Sequence, residues 1–407
     1  MSYIEELRLR ALKAKEKRAS LGSDVDLSRF ESEPVNEPEE ERGGIETLSE
    51  EERKKLIMTG IDPDEKARGG TYFQKDTSVI HCGVREEGVE ILSLKEALKE
   101  DWIYDYYWKL VPVDADKYTA AAELELHDGY VIRALPGKRG MFPVQACLYI
   151  SKDGLQQNVH NIIIAEEGSE LHIITGCSTS PHARRGLHVG VSEFFIKRGA
   201  KLTFTMIHNW ADDMYTRSRS VAVVEEGGLF LSNYVSLKPV KSIQVYPTTY
   251  LQGEDAVARF YSIIVGTPGS EYDMGSRIYL KVKGCRAEIV SRVISNGANI
   301  IARGHLIGEV EGVKGHLECR GLLLNGGIIH AIPELEGHAD GVELSHEAAV
   351  GKIAQEEITY LMSRGLSEDE AISTIVRGFL SVDMPGIPEP LKAEIDRAIE
   401  ESDKDVM

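Results

Sequence analysis

No apolar run in this 407-residue chain approaches the ~20 residues that a membrane-crossing helix requires. The opening Met1-Ser2-Tyr3-Ile4-Glu5-Glu6 lacks a basic segment followed by an apolar stretch, so no secretory signal is expected. Positive charge is in deficit: 47 Lys and Arg face 66 Asp and Glu, a net charge of −19. Such a surface cannot displace the counterions of a phosphate backbone, which argues against a general nucleic-acid binder. It suits solubility instead, and much of the acid lies between Glu37 and Glu52. Cysteine is sparse. Cys82, Cys147, Cys177, Cys285 and Cys319 form no CxxC pair, which removes support for a zinc ribbon or a thioredoxin-like motif. Five well-spaced cysteines do not make a disulfide framework, and a reducing, cytoplasmic location fits better. Most are expected to be small buried hydrophobes.

Several chemistries are missing as well. Gly351-Lys352 is followed by Ile353 and has no glycine at the required place upstream, so no P-loop is present and ATP hydrolysis by this route is excluded. No Gly-x-Gly-x-x-Gly opens a helix after a strand, and no Gly-x-Ser-x-Gly, His-Glu-x-x-His or EF-hand loop occurs. Paired carboxylates are too common in so acidic a chain to be informative.

What is present begins with a charged helix over residues 1 to about 20. A Gly-, Pro- and Glu-rich stretch follows from Leu21 to Gly70, read as a mobile arm. Within it Ser49 and Glu52 have capping-box spacing for a helix to Met58, and Ser93 with Glu96 repeats the signal before a helical stretch to Leu110. That stretch carries Trp102, Tyr104, Tyr106, Tyr107 and Trp108. Their neighbours are mostly acidic, so a core or docking surface is expected rather than stacking on nucleic acid.

From Tyr118 to Glu343 short β-rich runs alternate with turns that begin at Gly168, Gly199, Gly227, Asp255, Gly284 and Gly315, at intervals of 28 to 31 residues. A near-constant period of turn followed by alternating apolar residues marks a stacked β solenoid. Each repeat cannot bury its apolar face alone, so stacking supplies the core. A β-sandwich of regular hairpins is the competing reading. After Leu344 the text turns helical. Ile358, Leu361 and Met362 form one stripe, stopped by Gly365. Ser367 and Glu370 open the next helix, whose Ile372, Ile375, Val376, Phe379 and Leu380 share a face. Pro385, Pro388 and Pro390 end this unit and a last helix is expected from about Leu391 to Glu401. These helices either cap the solenoid or form a docking site.

The soft ligands are few. Cys319 lies on the strand after a repeat turn, and His346-Glu347 follows about one repeat later. One repeat along a solenoid means vertical neighbours in space, so the thiol and the imidazole–carboxylate pair can converge. Thiolate and imidazole both suit iron.

Several strings resemble the SufB/SufD family. Gly176-Cys177-Ser178 with Leu187-His188-Val189 is similar to the family's Gly-Cys-Ser/Thr segment and the Leu-His that follows. Ile207-His208-Asn209-Trp210 resembles its Asn-Trp signature. Asp116-Lys117-Tyr118-Thr119-Ala120-Ala121 and Pro143-Val144-Gln145-Ala146 resemble its entry into the β-helix. Ser345-His346-Glu347-Ala348, Arg364-Gly365-Leu366-Ser367 and Ile375-Val376-Arg377-Gly378-Phe379 resemble its C-terminal segment. The order matches too, from about Tyr107 to Leu380; the N-terminal arm is not covered.

The resemblance implies a mainly β protein, a right-handed parallel β-helix between helical ends. The expected division is an N-terminal helical and mobile arm (1–75), a helical entry segment (76–117), the β-helix core (118–344) and a C-terminal helical domain (345–407). The resemblance also implies a non-enzymatic scaffold for nascent iron–sulfur clusters, working with SufC, an ABC-type ATPase that supplies the missing motor. It favours the docking reading of the C-terminal helices, with Ile358, Leu361, Met362, Ile372, Ile375, Val376 and Phe379 as contacts. It assigns the cluster site to Cys319, His346 and Glu347 and the sulfur acceptor to Cys177, from which sulfur passes through the solenoid interior. A reactive Cys177 calls for an accessible, electropositive setting, and Arg184 and Arg185 are near in sequence. Typical SufB chains carry Glu-His-Glu; here Ser345 replaces the first Glu, as in SufD. The mixture implies an archaeal-type SufBD protein that pairs with itself. Stable clusters take four thiolates. Two subunits that each give Cys319 plus His346 or Glu347 make a weaker, mixed site, suited to a scaffold that releases its product. The alternatives are a non-metal adaptor that regulates a partner ATPase and a solenoid carbohydrate enzyme.

Overall fold

The computed structural model describes residues 2–33 and 45–380. The chain is mainly β, a solenoid of about eight turns with helices at both ends. Two sheets of ten strands each run side by side along its axis. The first sheet stacks, among others, Val144–Ile150, Glu170–Thr179, Lys201–Asn209, Leu229–Ser236, Val257–Gly266, Arg286–Asn296, Lys314–Leu324 and Glu343–Gly351. All of these neighbours are parallel and in continuous register. The second sheet includes Tyr130–Ala134, Leu155–Ala165, Arg185–Ile196, Asp213–Val224, Glu271–Leu280, Asn299–Gly308 and Ile328–Gly337.

Alternation along each strand sends every second side chain inward. Phe204, Phe194, Phe230 and Phe260 stack inside in that order, with successive ring centroids 4.9, 5.2 and 5.6 Å apart. The turns stack as well. Gly137, Gly168, Gly199, Gly227, Asp255, Gly284, Gly312 and Gly341 all have φ between +56° and +81°. Their N–H groups reach the next turn, as Gly168 N to Arg198 O and Gly199 N to Glu226 O do at 2.9 and 2.8 Å. The last turn expected at Gly315 lies instead at Gly312, and Gly315 is already inside its strand. No atom comes within 4 Å of where a Cβ on Gly199 would sit. Gly199→Ala therefore carries only backbone strain, and we expect a loss of about 1–2 kcal/mol, read as a lower urea midpoint.

The amino-terminal end is closed. Ser78–Val84 and Val89–Ser93 pair antiparallel with the first strands of the two sheets. The entry segment expected to be helical thus opens with these strands and continues with the short helix Leu94–Ala97 and a 3-10 helix at Asp101–Asp105. The described part of the arm makes contacts along the solenoid. Helix α1 (Tyr3–Ala14) buries Leu7, Ala11 and Ala14. Gly22 N donates to Asp273 (2.9 Å), Arg217 Nη2 to Ser23 O (2.9 Å) and Lys117 Nζ to Val25 O (2.6 Å). Helix α2 (Glu50–Ile57) carries the Ser49–Glu52 capping box. The acid-rich residues 34–44 and the expected helix from Leu391 to Glu401 lie outside the described residues.

Among the described residues the carboxyl-terminal end is open. Ile328–Gly337 and Glu343–Gly351 are the last strands of their sheets and largely exposed. Glu343–Gly351 replaces the helical text expected after Leu344; pairing with Lys314–Leu324 sets it as strand through Gly351. Two helices follow, Gln355–Ser363 and Glu368–Leu380. The second lays Val376 and Leu380 on an outer apolar stripe that includes Val235, Ile263, Ile294 and Leu322. Among the described residues no helix is long and apolar enough to cross a membrane.

Candidate functional site

Cys319 sits one strand below the open end. Its register neighbours are Ser291 below and Ala348 above. In Lys314–Leu324 the residues Gly315, Leu317, Cys319 and Gly321 are buried while Lys314 and Arg320 are exposed, so Cys319 faces the interior, where it joins the main core. Burial pushes its thiol up, opposed by Ser291 and the charge of Arg292. The register neighbour of Cys319 toward the open end, Ala348, carries only a methyl group.

The alternation divides the two residues after Ser345. His346 pairs in register with Leu317 and shares the interior side with Cys319, diagonally across one strand. Such diagonal neighbours lie about 7–8 Å apart. Glu347 pairs with Glu318 and turns to the outer face. There Arg320 Nη2 holds it at 3.1 Å, and Glu318 takes Arg292 and Arg320 at 2.7 Å each. The structure thus brings the imidazole and the thiol to one side and places the carboxylate on the other. Among the described residues of this single chain, no three His, Cys, Asp or Glu side chains are grouped to hold a metal ion.

Cys177 faces the same interior from Glu170–Thr179, in register with Leu148 and His208. It is fully buried, and burial alone pushes its thiol well up. The expected electropositive setting is not provided by Arg184 and Arg185, whose backbone N–H groups bind Asp153 in an exposed turn. The glycine beside it has a packing reason: a Cβ on Gly176 would collide with Thr59 Oγ1 and Ile61 Cγ1 of the segment after α2. The ring of Trp210 lies 5.3 Å from that of His188 and 5.5 Å from that of His208. Both imidazoles are held neutral by burial, with pKa lowered to about 4 and about 3.

Five strand spacings separate the strands of Cys177 and Cys319, about 24 Å at 4.8 Å each. A cavity of about 90 Å³ lies between them, room for several waters or small hydrosulfide-sized species. It extends from Leu148, on the strand beyond that of Cys177, and His188 to Ser291 and Ile300, so it spans the level of Cys177 and ends one strand short of Cys319. Along one wall Tyr234, Ser262, Ser291 and Cys319 follow one another in register. Asn161, Ser192 and Ser220 do so on the opposite wall. A hydroxyl-lined lane thus runs through an otherwise apolar core. Sequence reasoning did not find these serines, although stepping back from Cys319 by the repeat period lands on Ser291 and Ser262.

Of the expected docking residues, Ile358 and Val376 are buried against this chain, Leu361, Ile372, Ile375 and Phe379 are half-buried and Met362 is exposed. Tyr360 beside them is exposed as well.

Comparison with known proteins fits this arrangement. Residues 148–379 match the family model for the SUF system FeS cluster assembly, SufBD core domain. An iron-sulfur cluster assembly SufBD family protein of Methanothermobacter thermautotrophicus is 50% identical over 400 residues, 97% of each chain. One from Archaeoglobus fulgidus is 52% identical over 358 residues, 88% of this chain and 96% of its own. The iron-sulfur cluster assembly protein SufB of Bacillus subtilis is 28% identical over 365 residues, 86% of this chain and 78% of its own. On the core-domain match and the near full-length likeness to archaeal relatives, the chain belongs to the SufBD family of iron–sulfur cluster assembly proteins.

Proposed function

We propose that the chain is a non-enzymatic cytoplasmic scaffold on which nascent iron–sulfur clusters are built between two of its own copies. The observation that carries this reading is that Cys319 and His346 share the interior side at an end of the solenoid left unpaired among the described residues. An open edge of two exposed strands is a template for pairing with another chain. Joining two such ends places two Cys319 thiols and two His346 imidazoles across one boundary. That set holds a cluster more weakly than four thiolates. Glu347 acts from the outer face, through its pairing with Arg320.

Cys177 is the sulfur acceptor in this reading, and sulfur reaches Cys319 as a small species along the hydroxyl lane. ATP is hydrolysed by a separate SufC-type ABC ATPase that docks on the C-terminal helices at Tyr360, Met362 and the half-buried Leu361 and Phe379. The deciding experiment is co-expression with such an ATPase. A complex is expected to co-purify and to accept iron and sulfide anaerobically. A chain that binds cluster no better than its Cys319 variant overturns the site.

The edge has its own test. Glu343 N donates to Val313 O, so alternate N–H groups, those of Leu344, His346, Ala348 and Val350, face outward from the sheet edge. Val350→Pro removes one outward donor and leaves the ladder to Lys314–Leu324 intact. The subunit is expected to stay folded while self-association weakens about tenfold or more, the equivalent of one lost hydrogen bond and a ring clash. Sedimentation over a concentration series reads the shift, and an unchanged dimer overturns pairing through this edge.

A further inference from the structure

The lane ends beside a histidine whose proton is fixed in place. Gln157 Nε2 donates to Asp76 O at 2.7 Å and to Tyr149 O at 3.4 Å. Its amide oxygen therefore points the other way, to His188 Nδ1 at 3.0 Å. An amide oxygen only accepts, so Nδ1 carries the proton and Nε2 carries the lone pair. No partner for Nε2 occurs among the described residues. It hangs over Gly190, where a Cβ would come within 3.0 Å of it, and His188 and Gly190 both line the cavity. The ring is 2% exposed. Burial is the sole cause of its lowered pKa, about 4, so no charged side chain acts on it and the lone pair stays free at neutral pH. The titratable groups around it and Cys177 are His208, whose ring shares Trp210 with it and which is in register with Cys177, Tyr234, whose hydroxyl meets His208 Nδ1 at 2.7 Å, and Tyr130, whose hydroxyl meets Thr175 at 3.0 Å.

We propose that His188 is the proton acceptor of the lane, taking through Nε2 the S–H proton of Cys177 as that thiol captures sulfane sulfur from a small persulfide. This rests on the reading of Cys177 as sulfur acceptor. The step balances as Cys177–SH + HS–SH → Cys177–S–SH + H₂S. The Cys177 sulfur attacks one sulfur of the inorganic persulfide, a new S–S bond forms and the old one breaks. The proton leaves Cys177 for Nε2 and moves on to the departing hydrosulfide. No external oxidant or reductant is needed, because the sulfane sulfur is carried over unchanged in oxidation state. A buried thiol whose pKa is raised holds almost no resting thiolate, so it reacts only if the proton leaves during the attack. The cavity admits a species of this size and not a protein-borne persulfide.

The test is anaerobic loading of the full-length protein with sodium disulfide from pH 6 to 9, with the Cys177 persulfide measured by peptide mass spectrometry. The parent is expected to load with a shallow pH dependence. His188→Gln is expected to load about 100-fold more slowly at pH 7, the lower range for a lost general base. Its rate should then rise about tenfold per pH unit as hydroxide takes over the proton. A merely structural role does not create that slope. Gln157→Met, which keeps the imidazole and frees its tautomer, is expected to slow loading about 2- to 5-fold and serves if His188→Gln does not fold. Parent-like rates and slopes in the folded variants overturn the role of His188 alone. A parent that never loads at Cys177 overturns the acceptor reading itself, and this inference with it.

Discussion

Cys319→Ala is expected to stay pale when reconstituted anaerobically with iron and sulfide, under conditions that turn the parent brown. Bound iron should fall by at least about tenfold, since even the loss of a residue behind a metal ligand costs 10- to 100-fold in affinity. The fold should tolerate the change. One sulfur atom is removed at a position already bordered by Ala348, and a void of that size is small. Visible absorption and bound iron per chain read the result. His346→Ala is expected to lose less, because imidazole is the second ligand type of a set built on the thiols. Glu347→Gln is expected to lose least, because strand alternation turns that side chain to Arg320 on the outer face. A Glu347 variant as colourless as the Cys319 variant would reverse the assignment and put the carboxylate in the cluster. Cys319→Ala with parental iron content would remove the site.

The solenoid was legible because its turns repeat a conformation few residues adopt. The left-handed turn recurs at a spacing of 28 to 31 residues, and glycine or aspartate marks it. The last turn is ambiguous in sequence because Gly312 and Gly315 stand three apart, and either satisfies a local pattern. What separates them is tertiary: Gly315 faces inward, where a Cβ would crowd Leu344 and Leu306. The strand that bears His346 has the sequence of a helix for a similar reason. At the open end of a stack, burial no longer imposes alternation, and Glu-Ala-Ala text has high helix propensity. Pairing with the strand of Cys319 overrides it. The arm reads as a linker from its composition, and its contacts are not legible there. Its anchors, Asp273 and Arg217, come from strands 251 and 194 residues away and leave no local mark. The division of His346 from Glu347 follows from strand geometry alone, once the segment is known to be a strand.

The aromatic entry segment carries the other large effect, on stability. Glu193 is fully buried on the outer face of Arg185–Ile196, under Tyr107 and Trp108. Its carboxylate accepts the N–H groups of Trp108 at 2.7 Å, of Leu110, and of Val111 at 3.0 Å, and it meets His160 Nε2 at 2.8 Å. Trp108 holds φ +54°, unusual for so bulky a residue, within the loop that this one side chain organises. Glu193→Ala strands three backbone donors and an imidazole in an apolar layer. Each buried donor left without a partner costs about 1–3 kcal/mol, and because they relax together we expect about 3–5 kcal/mol in all, the range for breaking a buried polar network. Glu193→Gln keeps one oxygen acceptor and should lose less than half of that. Since stacked repeats need not unfold as one unit, amide hydrogen exchange is the sharper measurement. In Glu193→Ala the amides of Trp108, Leu110 and Val111 should exchange faster, together with those of α1, which packs on the same layer. The strands near Cys319 should keep parental protection. Loss of protection along the whole solenoid would mean that Glu193 holds the fold as a unit, and no change at the loop would mean that the loop does not depend on it.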